Sequence, residues 1–226
     1  MKKRILTLVL AIGMAIPASA QYFSDTPEFY TGTAALSLRL FDSFGLGMIS
    51  PSAARELDAV SSDYLNHTRF GGNREIFFNT VFLGFHPYPT CTLGMGIDMR
   101  WSAFRLDRTR FWLPEDNYTV SVGSTDSRVR RSTLRVMSID IPLDYVQRIG
   151  PAEVSAGVSA ELNFPGSTKS SGVRATGIGT NVVTYSLHAA LGIYGIGLYV
   201  KYRPVPLFEY EKGPQFQSWT VGLILH

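Results

Sequence analysis

The chain has 226 residues, with 12% aromatic residues, 21 glycines, one cysteine and a formal net charge of +3. This length suits one all-β domain, and the lone Cys91 excludes an intramolecular disulfide framework and a cysteine-rich metal site. Lys2, Lys3 and Arg4 carry the excess positive charge, so the rest of the chain is near neutral and gives no reason to expect a nucleic-acid partner.

The first segment has the three parts of a secretory signal peptide. Basic residues at 2–4 precede an apolar run at 5–16, and Ala18-Ser19-Ala20 forms a cleavage site. The apolar run is shorter than the roughly 20 residues that a membrane-spanning helix needs. We therefore expect residues 1–20 to be a signal peptide and residues 21–226 to form a single exported domain.

Apolar and polar residues then alternate in eight segments, which is the pattern of β-strands with two different faces. Residues 154–162 show this most clearly, because Val154, Val158 and Leu162 share one face while Ser155 and Glu161 share the other. The predicted strands are 33–41, 75–86, 90–102, 132–146, 154–162, 180–191, 193–203 and 216–226.

The connections between these strands alternate between short and long. Outer-membrane barrels have tight periplasmic turns, longer external loops and an even strand count. The sequence thus predicts an all-β, eight-stranded antiparallel up-and-down transmembrane β-barrel. Within the first long loop, Ser50 and Pro51 are typical of a helix start and predict a short helix there.

A soluble periplasmic barrel of the lipocalin type, binding an apolar ligand, is the alternative architecture. Sequence alternation does not say which strand face is outside. Aromatic residues near predicted strand ends, among them Tyr88, Trp101 and Trp219, favour the membrane form because such residues form girdles at the membrane surface.

The polar strand faces carry equal numbers of opposite charges. An eight-stranded barrel is just wide enough for its interior side chains to fill it, and an unpaired buried charge costs several kcal/mol by rough estimate. We therefore predict a structural network of ion pairs that plugs the lumen. Its members are Arg39, Asp98, Arg100, Asp140, Asp144, Glu161, Lys201 and Arg203.

The sequence predicts no catalytic, cofactor-binding or metal-binding residues. Asp140 and Asp144 share a face and could exchange protons, but the neighbouring cations favour ion pairing. Ser186 and His188 lie on the polar face, whereas a lipid-modifying enzyme would present its nucleophile and base to lipid. Such an enzyme is the alternative function. Gly94 and Gly96 lie within a strand, where we expect them to make room for large neighbouring side chains.

The second long loop concentrates basic and aromatic residues. Such a loop could bind lipopolysaccharide phosphates, an acidic glycan or a protein, or its arginines could pair with headgroups and with loop acids such as Asp107. The candidate binding patch is Arg105, Arg108, Arg110, Trp112, Arg128, Arg130 and Arg131.

Several segments resemble the PorT-like outer-membrane β-barrel domain family, which is related in fold to the small OmpA/OmpX-type barrels. They are Ser-Ile-Asp-Ile-Pro-Leu-Asp-Tyr at 138–145, the strand at 150–161, Tyr-Val-Lys-Tyr-Arg-Pro at 199–204 and the terminal Ser-Trp-Thr-Val-Gly-Leu-Ile-Leu. The chain ends in His226, whereas many such barrels end in an aromatic residue.

The resemblance implies a bacterial outer-membrane location and carries over no catalytic residues. We therefore expect a non-enzymatic envelope protein without a cofactor, acting structurally or through its external loops in adhesion or secretion. The expected partners are outer-membrane lipid, the barrel-assembly machinery and a protein of an envelope or secretion complex.

Overall fold

The computed structural model describes residues 29–31, 34–53, 58–68, 71–107, 109–115, 119–124, 132–170 and 173–226. The expected signal peptide lies outside these ranges. Within them the chain forms one helix, α1 (Ala59–His67), and fourteen strands. None of the described helical structure is long and apolar enough to cross a membrane.

The strands, in chain order, are β1 (Phe29–Thr31), β2 (Ala34–Leu40), β3 (Phe44–Ala53), β4 (Arg74–Tyr88), β5 (Cys91–Arg105), β6 (Arg110–Pro114), β7 (Val120–Ser124), β8 (Ser132–Ile149), β9 (Ala152–Asn163), β10 (Gly166–Ser170), β11 (Val173–Ile178), β12 (Val183–Ile193), β13 (Ile196–Arg203) and β14 (Phe216–Leu225).

Strands β2 and β3 together form the first wall strand of a closed barrel. Both pair with β4, β2 along its second half and β3 along its first half, and Phe41 with φ 54° marks the break between them. The wall continues through β5, β8, β9, β12, β13 and β14, and β14 pairs with β3. Every pairing is antiparallel, so the predicted eight-stranded barrel is confirmed.

The predicted helix at Ser50 is wrong, because the first wall strand runs on to Ala53. Pro51 is tolerated in β3 because pairing with β4 ends at Met48, so this part of the strand has a partner only on the β14 side. The helix begins later, at Ala59. Its N-cap is Asp58, whose carboxylate accepts a 2.6 Å hydrogen bond from the Ser61 backbone N–H.

The apolar face of the wall points outward. Leu38, Leu143 and Val221 are 49%, 52% and 55% exposed, while the alternating polar residues, such as Ser138 and Thr220, are buried inside. A soluble barrel of this size would have the opposite arrangement, with apolar side chains in its interior. The soluble hypothesis is therefore wrong, and the outer surface is one that faces lipid.

Glycines make room for large aromatic side chains inside the barrel. A Cβ atom on Gly94 would lie 2.1 Å from the Phe82 ring, and one on Gly45 would lie 2.1 Å from the Phe77 ring. These distances are far inside van der Waals contact, so each ring occupies the space that a side chain would need. The role predicted for Gly94 is confirmed.

Candidate functional site

Six charged side chains meet in the middle of the lumen, and we call them the lumen charge network. Arg100 donates to both Glu75 and Asp140. Lys201 Nζ lies 2.8 Å from Glu75 Oε2 and 3.2 Å from Glu161 Oε1. Arg203 Nε lies 2.6 Å from Glu161 Oε2. Three cations and three carboxylates thus form one continuous chain of ion pairs across the barrel.

Every member of the network is almost completely buried, with exposures from 0% for Asp140 and Glu161 to 4% for Arg100. Hydroxyl groups satisfy further carboxylate lone pairs: Ser138 donates to Asp140 at 2.8 Å, Tyr199 to Glu75 at 3.2 Å and Thr184 to Glu161 at 3.2 Å. Buried ions are tolerated when they are paired and also hydrogen-bonded, and both conditions hold here.

The network differs from the predicted set at four positions. Glu75 belongs to it and was missed. Arg39 pairs instead with Asp42 at 3.1 Å, Asp98 accepts a 2.7 Å hydrogen bond from Asn79, and Asp144 contacts His188. Arg100, Asp140, Glu161, Lys201 and Arg203 are brought together.

A cluster of apolar side chains covers the end of the lumen from which the long loops emerge. We call this cluster the long-loop cap. It joins wall residues to loop residues, and it contains Ile49, Tyr64, Phe104, Leu106, Trp112, Val120, Leu134, Val136, Ile178, Leu207, Phe208 and Phe216. No local sequence pattern indicates this cluster, because its members come from separate loops.

The cap is built around aromatic contacts between α1, the β6–β7 hairpin and β14. The centroid of the Tyr64 ring lies 5.2 Å from that of the Trp112 ring and 4.7 Å from that of the Phe216 ring. Burial raises the pKa of the Tyr64 hydroxyl. Trp112 Nε1 donates to the Phe104 carbonyl at 3.2 Å. Because the indole N–H of Trp112 has a hydrogen-bond acceptor, the whole ring can be buried.

The predicted loop patch does not form one exposed surface among the described residues. Trp112 is 0% exposed, so its assignment to a binding patch is wrong. Arg110 pairs with Asp63 at 3.2 Å, and Arg105 is half-buried at the end of β5. The remaining members, Arg108, Arg128, Arg130 and Arg131, lie outside the described residues.

The other end of the lumen, where the short turns lie, contains a cavity. This cavity opens to solvent at its mouth. Phe77, Phe82 and Pro142 form apolar parts of its lining, while Asp98 and His188 contribute polar parts. Lys201 and Arg100 of the charge network also line it, so the cavity ends where the network begins.

Ser159, His188 and Asp144 form a serine–histidine–aspartate row on the cavity wall. Ser159 Oγ lies 3.3 Å from His188 Nδ1, and His188 Nε2 contacts Asp144 Oδ1. Ser186, the serine that the sequence places beside His188 on the polar face, lies directly opposite Ser159. An acyl-transfer site also needs backbone N–H donors aimed at an oxyanion, but Ser159 lies in the middle of β9, whose backbone pairs with β8 and β12 on its two sides.

The closed antiparallel sheet, lipid-facing apolar wall and polar lumen define this protein as an outer-membrane β-barrel membrane protein. No family model matches the chain, and no curated protein matches it.

Two solved structures are similar over most of the chain. The alignment with the crystal structure of Neisserial surface protein A covers 86% of this chain and 97% of that protein's chain, with 9% sequence identity and a TM-score of 0.38. The second is the crystal structure of Ail, the attachment invasion locus protein of Yersinia pestis, in complex with the heparin analogue sucrose octasulfate. Its alignment covers 86% of this chain and 99% of the Ail chain, with 9% sequence identity and a TM-score of 0.34. At these values neither similarity carries an argument about function.

Proposed function

We propose that this protein is a non-enzymatic outer-membrane barrel whose lumen is closed to solutes and whose long-loop end acts outward, as a structural, adhesive or secretion-complex component of the envelope. The observation that carries this proposal is that two barriers to solutes lie one after the other along the lumen. The lumen charge network crosses the middle of the barrel, and the long-loop cap covers the end above it. A pore would need an open path through both.

Solute flux tests the closed lumen. Proteoliposomes that contain the purified protein are expected to swell no faster in an isosmotic solution of a small sugar than protein-free liposomes do, because the network and the cap leave no continuous water path. A 16-stranded porin in matched liposomes serves as the positive control. Swelling at a porin-like rate that scales inversely with sugar size would contradict the proposal.

The enzymatic alternative rests on the row of Ser159, His188 and Asp144. Because an oxyanion site is not evident beside Ser159 and that side chain is 3% exposed, we expect it to lack nucleophilic reactivity. The folded protein should show no more labelling by a fluorophosphonate probe than its Ser159→Ala variant. Stoichiometric labelling of the wild type that this substitution abolishes would revive the hydrolase hypothesis.

We also propose that residues 1–20 are removed during export to the bacterial outer membrane and that the PorT-like resemblance reflects the family of the chain. Outer-membrane lipid, the barrel-assembly machinery and an envelope or secretion-complex protein are the partners that this proposal implies. The intact mass of protein extracted from membranes tests the first step, because the mature chain should begin at Gln21.

A further inference from the structure

Basic side chains form a band across five neighbouring strands of the outer wall, β4, β5, β8, β10 and β11, at its long-loop edge. Lys169 of β10 lies directly opposite Arg174 of β11. Arg135 of β8 lies opposite Ser167, two residues from Lys169 on the same face. On the other side of β5, Arg74 lies opposite Ala103, which in turn lies opposite Arg135. We call these four exposed residues, Arg74, Arg135, Lys169 and Arg174, the basic rim.

The basic rim has no acidic counterpart in the described part of the chain. Three other arginines on described surfaces have one: Arg39 pairs with Asp42, Arg110 with Asp63 and Arg148 with Glu153. No ion pair joins a rim residue to any described carboxylate.

The pairing of Lys169 with Arg174 is unfavourable without an anion. Directly opposed residues of an antiparallel pair have Cβ atoms about 5 Å apart, and like charges there destabilise the sheet. Two facing cations on adjacent strands, with no described carboxylate paired to either, therefore point to a site for a bound anion. Ser167 lies opposite Thr176 one step along the same two strands, so hydroxyl donors flank the cations, as suits a phosphate with several acceptor oxygens.

The level of the rim on the wall identifies where that anion comes from. On β5 the exposed apolar residues run from Leu93 to Trp101, which matches the roughly 9–11 residues that a tilted strand needs to cross a bilayer. Trp101 packs 5.3 Å from Phe78, as in an aromatic girdle. Trp101 lies opposite Met137, and the next outward position on β8 is Arg135.

The basic rim therefore starts one residue pair beyond the apolar band, at the depth of the lipid headgroups. Because it is at the long-loop edge, that layer is the outer leaflet. We propose that the basic rim binds the phosphate of a lipid headgroup in the outer leaflet, with Lys169 and Arg174 as its central ligands. This inference is independent of whether the lumen is closed.

Native mass spectrometry of the full chain in detergent micelles tests the proposal, with diphosphoryl lipid A as the probe. The wild-type protein is expected to retain one lipid A molecule, and the double variant Lys169→Gln/Arg174→Gln should bind it at least 10-fold more weakly. The control variant Arg39→Gln/Arg148→Gln removes the same charge at the short-turn end, where both arginines line the cavity, and should bind like the wild type. Heat-modifiable gel mobility checks that each variant is folded.

Two further experiments distinguish a lipid phosphate from free inorganic phosphate as the ligand. Lipid A without its phosphates should not be retained, and millimolar inorganic phosphate should compete only weakly with intact lipid A. Equal retention by the rim variant and the control would overturn the proposal. So would equal retention of dephosphorylated lipid A, and inorganic phosphate binding as tightly as lipid A would overturn the lipid as the ligand.

Discussion

Replacing Glu161 with glutamine is expected to destabilise the folded barrel by about 3–5 kcal/mol, because removing one partner of a buried ion pair leaves its counterpart uncompensated. Glu161 is completely buried and contacts both Lys201 and Arg203. Lys201 keeps Glu75 as a partner, but Arg203 has no other carboxylate within ion-pair distance among the described residues. Equilibrium urea unfolding in lipid vesicles measures the loss.

Two companion variants separate the lost pairing from the substitution itself. Glu153→Gln breaks the exposed pair with Arg148 at the short-turn end, where a change below about 1 kcal/mol is expected. Adding Arg203→Met to Glu161→Gln removes the orphaned cation, so the double variant should be more stable than Glu161→Gln alone. A loss of stability in Glu161→Gln no larger than that in Glu153→Gln would contradict a stabilising role for the buried pairs of Glu161.

Truncating Trp112 to alanine is expected to cost about 3–5 kcal/mol, the usual range for a large aromatic residue in a packed core. The ring is fully buried against Tyr64, and its Nε1 donates to the Phe104 carbonyl. Both the packing and the hydrogen bond are lost in the variant. The same vesicle unfolding experiment applies, with the slope of the transition as a check on two-state behaviour.

Leu113→Ala is the matched control, since Leu113 is the next residue on the same hairpin and is 39% exposed. It should change stability by less than about 1 kcal/mol. Equal effects of the two substitutions would mean that the long-loop cap is not a packed core. The charge network lies below the cap, so the Trp112 variant should still be closed to solutes.

Strand number and barrel class could be predicted from sequence because both depend on local alternation. The inward set containing Asp140, Glu161 and Lys201 also follows from alternation alone. What alternation does not supply is the choice of partners around the barrel. Arg39 was grouped with the lumen charges by parity, but Asp42 lies three residues away and takes it out of the network.

Glu75 was missed because the alternation changes phase within its strand. A bulge between Asn79 and Val81 lets Glu75 and Phe77 point inward before it and Phe82 after it. A single extra residue reverses which face every later side chain occupies. In the same strand, the adjacent residues Phe77 and Phe78 put large apolar side chains on both faces, so the alternation of apolar and polar residues is hard to recognise there.

Trp112 was misassigned for a different reason. A long loop with many arginines is usually exposed, and the sequence gives no local sign that β6 and β7 fold back over the lumen. Trp112 is buried against Tyr64, which in turn packs on Phe216, and both of these residues are far away along the chain. Such contacts between separate loops leave no periodic signal.

Single-channel recording in a planar lipid bilayer tests the closed lumen most directly. Both barriers lie in series, and the charge network is buried and internally neutral. The wild-type protein is therefore expected to insert without producing stable conductance steps, even at high salt and applied voltage. A large, stable conductance from correctly folded protein would contradict a lumen closed by the charge network and the long-loop cap.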